Sequence, residues 1–103
     1  MFRLETTQKE LIEAAIDGAL KDLAPAVQRI NYQIRQDWTG EWAVYFNVLL
    51  SDEASQRPNL REIAPQVVSN VSDRVYLGNL GLFPHFSFRS QSEQAKTNDP
   101  AWA

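Results

Sequence analysis

Cysteine is absent from the 103 residues, which excludes disulfide frameworks, thiol nucleophiles and thiolate metal sites and fits a reducing compartment. Histidine occurs once, as His85, so no His-x-x-x-His or His-x-x-Glu spacing exists and no metal ligation is expected. Long apolar runs are also missing. No segment approaches the roughly 20 apolar residues that cross a bilayer. The start Met1-Phe2-Arg3-Leu4-Glu5 lacks the basic flank and apolar stretch of a secretory leader. A cytoplasmic protein is the expectation. Glycine is sparse, and Gly78-Asn79-Leu80-Gly81 lacks the Lys-Ser/Thr pair and preceding strand of a phosphate loop. No Gly-x-Ser-x-Gly element is present, and the serines have no histidine in a recognisable arrangement. These gaps point away from an enzyme: no catalytic residue and no cofactor is expected. A basic excess is lacking too, since the formal charge is −3, and only a local patch could attract nucleic acid or an anionic membrane.

What is present is ordinary globular material, 44% apolar and 22% charged, in a chain of a size that forms one core. Thr7-Gln8-Lys9-Glu10 has capping-box spacing. Leu11, Ala15, Ile16, Ala19, Leu20 and Leu23 then recur at helical period until Pro25 ends the pattern. From Arg29 to Gln36 the period is two, with Ile30, Tyr32 and Ile34 opposite Arg29, Asn31, Gln33 and Arg35. Asp37 to Glu41 supplies a turn around Gly40, and Trp42 to Leu50 completes a hairpin. Leu60, Ile63, Ala64, Val67, Val68, Val71 and Val75 mark a second amphipathic helix, which Asn59 could cap with Glu62 three residues on. Pro65 predicts a kink there, or a start nearer Ile63. A third strand is expected over His85–Arg89, with Phe86 and Phe88 on one side. The order is α-β-β-α-β: an α+β fold with two helices packed on one face of a three-stranded sheet. Residues 1–90 form the single domain. Residues 91–103 form a polar tail that lacks apolar periodicity and is expected to be flexible, with Trp102 near its tip as a candidate anchor.

The outer sheet face is the chief candidate for function. It would gather Arg29, Arg35 and Arg89 with Tyr45, Asn31, Gln33, Asn47 and Ser87, without a carboxylate. Arginines interleaved with an aromatic and amides can meet an acidic protein partner, hold phosphates while a base stacks, or simply face water. Trp38 at the hairpin tip is hard to bury in so small a core and suggests a contact surface. The expected partner-binding set is Arg29, Arg35, Trp38, Tyr45, Arg89 and Trp102. A protein partner or a homodimer is the leading reading, with nucleic acid the alternative. Asp37, Glu41, Asp52 and Glu53 could serve acid–base or cation chemistry only if they converged, and about nine residues of strand at ~3.3 Å each keep the two pairs apart.

Asp37-Trp38-Thr39-Gly40, Leu49-Leu50-Ser51-Asp52-Glu53, Phe88-Arg89-Ser90-Gln91-Ser92-Glu93-Gln94 and Asp99-Pro100-Ala101-Trp102 resemble a group of uncharacterised small bacterial proteins. The resemblance covers residues from about 29 onward. It associates the chain with genes beside HEPN-type helical proteins, arranged like toxin–antitoxin pairs. It implies an antitoxin-like neutraliser whose tail orders on binding, and carries no catalytic residue.

Overall fold

The computed structural model describes residues 6–102. The stretch Met1 to Glu5, read above as lacking a leader's features, and the terminal Ala103 lie outside the described residues. Helix α1 spans Thr6–Leu23, strand β1 Val27–Gln36, strand β2 Trp42–Leu50, helix α2 Arg57–Arg74, strand β3 Phe83–Ser90 and helix α3 Gln91–Thr97. A 3₁₀ turn, Leu77–Leu80, precedes β3, and another, Pro100–Trp102, follows α3. The fold is α+β, with one three-stranded sheet in the order β1-β2-β3. β1 and β2 pair antiparallel as the hairpin. β2 and β3 pair parallel, which requires a crossover connection, and α2 supplies it.

Alternation along β2 sets the two faces. Val44, Phe46, Val48 and Leu50 are fully buried and form one core with Ile12, Ala15, Ile16 and Ala19 of α1 and Val67 and Val71 of α2. In α1 the stripe is turned slightly from the expected one, with Ile12 buried and Leu11 half exposed. The helix already includes Thr6, so Thr7 lies in its first turn and not at its cap. β1 begins two residues early. Its register shifts between Val27, paired with Leu50, and Arg29, paired with Leu49. This bulge lets Val27 and Ile30, three apart, both point into the core.

Two expectations fail by their physics. α2 begins at Arg57 with Pro58 in its first turn, where the missing N–H costs nothing. Asn59 does not cap it and instead donates to the Glu53 carbonyl. The helix runs through Pro65 without ending, because Pro65 sits on the solvent side, where water can satisfy the carbonyl that its ring leaves without a donor. The second failure concerns the tail. Residues 91–97 are helical, and Trp102, only 8% exposed, is docked on the domain.

Candidate functional site

The hairpin turn builds one end of the outer sheet face. Asp37 Oδ1 accepts from the Thr39 hydroxyl at 2.6 Å, the Thr39 amide at 2.9 Å and the Glu41 amide at 3.1 Å. These bonds, the hydroxyl foremost, hold the Asp37 carboxyl below its ordinary range. Gly40 closes the turn at a φ of 88°, open only to a residue without Cβ strain. The turn projects Trp38 outward, and its side chain remains 84% exposed.

Register then assembles a stack beside it. Tyr45 stands opposite Gln33 on β1 and His85 on β3. Its ring carries the Arg35 guanidinium 3.8 Å from its centroid and stacks with the His85 ring at 4.8 Å and 16°. Because β1 and β3 flank β2, cation and imidazole approach the phenol from opposite sides. Trp38 leans on His85 at 5.8 Å. His85 Nε2 is 3.7 Å from Asp37 Oδ2, too far for a hydrogen bond, and has no hydrogen-bond partner among the described residues. Phe83, 58% exposed, extends the patch along β3, and the exposed Glu41 ends the turn just before β2.

The other end of the face is covered by the chain itself. Arg29 and Arg89 flank Leu49 in register. The Arg89 guanidinium lies 4.4 Å from the Trp102 ring centroid, donates to Gln94 Oε1 at 3.0 Å and Thr97 Oγ1 at 3.3 Å, and stands 3.7 Å from Asp99 Oδ2. α3 begins at a full capping box: Ser90 Oγ accepts from the Glu93 amide, and Glu93 Oε1 accepts from the Ser90 amide. Asp52 secures the same end, accepting from the Ser92 amide at 2.9 Å and from the Ser92 hydroxyl, and these bonds lower its pKa.

Arg29, Arg35, Tyr45 and Arg89 thus share one face, as strand alternation requires, but not one environment. Arg35, Tyr45 and Trp38 form the open half. Arg89 and Trp102 satisfy each other inside the domain, which removes both from the surface offered to a partner. The carboxylates do not converge: Asp37 orders the hairpin turn and Asp52 the start of α3. Among the described residues, no three His, Cys, Asp or Glu side chains come together as a ligand set. Sequence reasoning missed Phe83 and weighed His85 only as a metal ligand, not as a member of this face. Strand parity would have put His85 on the outer face, since Ser87 and Arg89 were already assigned to it; the β2–β3 register then sets it opposite Tyr45.

No family model matches the sequence, and no curated protein does. Solved structures share the fold. A copper form of the MamM CTD superposes with a TM-score of 0.57 at 12% identity, covering 84% of this chain and 89% of that one. Two substituted forms of that domain give TM-scores of 0.57 and 0.58, again at 12% identity, each covering 84% of this chain and 99% of theirs. At such identity the likeness concerns the path of the chain. Among the described residues, no helix is long and apolar enough to cross a membrane.

Proposed function

We propose that this is a non-catalytic protein-binding module whose contact surface is the hairpin half of the outer sheet face, and that a second copy of the chain binds there across a two-fold axis. The observation that carries the reading is Trp38, 84% exposed beside an assembled stack. A tryptophan buries on the order of 200 Å² when covered, so roughly 5 kcal/mol of transfer free energy is left unrealised in the isolated chain. Interfaces concentrate their energy in such aromatic and arginine anchors.

Self-association is favoured by the charges around the patch. Arg35 and Glu41 lie on either side of the turn, and neither has an ion pair among the described residues. A two-fold axis through the patch would set Arg35 of each copy against Glu41 of the other while Trp38 covers the opposing rings. The copper named for one form of the MamM CTD finds no counterpart ligand set among the described residues here.

Sedimentation velocity over about 1–200 µM, a range that spans micromolar dissociation constants, tests the proposal. A concentration-dependent dimer is expected, lost in Trp38→Ala. Arg35→Glu and Glu41→Arg should each weaken it, and the double exchange should restore it. A monomer throughout, or a double exchange as weak as either single one, would overturn the two-fold contact. An acidic partner protein is the second reading, favoured by Arg29 and Arg35, which have no carboxylate partner among the described residues. Nucleic acid is less favoured, because Arg89 is engaged by Asp99 and Trp102. The remaining two cations are six residues apart on β1, about 20 Å, too sparse for a phosphate track. The antitoxin-like reading relied on a tail that orders upon binding; with Trp102 already docked, the geometry offers it no support.

A further inference from the structure

The two edges of the sheet are treated differently. β3 carries Pro84, which has no N–H to offer a neighbouring strand, and the 3₁₀ turn Leu77–Leu80 packs against it. Proline and a covering segment are the usual protections of an edge. β1 has neither proline nor lysine in its ten residues. Its one irregularity lies at Val27/Arg29, so Ile30 to Gln36 run in unbroken register with β2 and form an outer edge without a bulge.

A groove of about 500 Å³ runs along this edge. Ile30 to Gln33 form one wall, Glu13, Ile16 and Asp17 of α1 the second, and Pro100 stands at the outer rim. Glu13 accepts a hydrogen bond from the Tyr32 hydroxyl at 3.1 Å; burial first, and then this bond, raises the tyrosine pKa. Asp17 has no ion pair among the described residues. A strand added beside β1 would alternate its side chains between the α1 wall and the Pro100 rim. Those on the α1 side would meet Ile16 flanked by two carboxylates.

We propose that this edge is a strand-addition site for an extended segment of a partner protein, with basic residues alternating with apolar ones. Backbone pairing supplies the attachment, and the acidic wall selects the side chains. A second copy of β1 is the wrong occupant, because a two-fold pairing would bring Glu13 and Asp17 of both copies together. The site lies away from the Trp38 patch, and its test is independent of dimerisation.

The probe is an acetylated, amidated hexapeptide alternating valine and lysine, added to the isotopically labelled full chain. Saturable amide shifts at Ile30 to Ile34 and slowed amide exchange in that stretch are expected. Asp17→Lys should weaken binding about two- to fivefold, the effect of one exposed charge pair. The alternating valine and glutamate peptide should not bind. The lysine probe N-methylated along one edge, unable to pair, should lose its affinity. Retained binding by the methylated probe, equal binding of the glutamate peptide, or shifts confined to other surfaces would each overturn the proposal. Trp38→Ala should leave the result unchanged.

Discussion

Two aspartates at opposite ends of β2 do the same kind of work. Asp37 gathers three donors of its own turn, and Asp52 gathers two from Ser92, forty residues away. Both carboxyls are held below the ordinary aspartate range by these bonds, as is that of Asp22 by Arg74 and Asn70. A depressed carboxyl stabilises the fold above its unfolded pKa of about 3.9 and loses that contribution as pH falls through the folded value. Stability should therefore hold at neutral pH and decline below about pH 4. Asp52→Asn should flatten the decline in a urea-midpoint series run from neutral to acid. Gly18 makes a smaller case. A Cβ there would displace the Arg74 guanidinium, the tip of a flexible side chain, and disturb its exposed pair with Asp22. Helix propensity favours alanine by about 1 kcal/mol, which exceeds what exposed pairs usually contribute, so Gly18→Ala should leave the thermal midpoint unchanged or slightly higher.

Elements obeyed their sequence patterns where burial and propensity agreed. β2 and the Val67–Val71 stripe were legible because their periodicity was produced by the core they now fill. Pro65 misled about the helix start, which lies at Arg57 and not nearer Ile63, since its local cost says nothing about which side of a packed helix it occupies. Pro65→Ala should raise stability by about 2 kcal/mol, the ~3 kcal/mol helix-interior penalty less up to ~1 kcal/mol for a looser unfolded chain, as read by chemical denaturation. The tail misled in the opposite direction. Its residues bury nothing along α3, yet Ser90-Gln91-Ser92-Glu93 is a capping box in plain view. What the sequence could not reveal was that Asp52 and Arg89 would receive the segment. Ser90→Ala should cost about 1 kcal/mol. It should also raise the accessibility of Trp102 to acrylamide, measured in a chain whose other tryptophans are replaced by phenylalanine.

At the scale of the whole molecule, the tryptophans near the outer face divide its roles. Trp102 serves the interior, and Trp38 is left to the solvent. The face was legible as a set of alternating residues. Its division into a closed half and an open half was not, because that depends on where a distant segment lands.

The parallel pairing of β2 with β3 also has a bearing on how the chain is made. The hairpin can close from neighbouring residues, but the far side of β2 waits for a strand that arrives only after α2 and its following turn have been synthesised. Until then the most apolar strand of the protein has one bare flank. A nascent chain stalled before Phe83 should therefore be the sticky species, recruiting chaperones or clumping, whereas the finished chain keeps that flank permanently occupied.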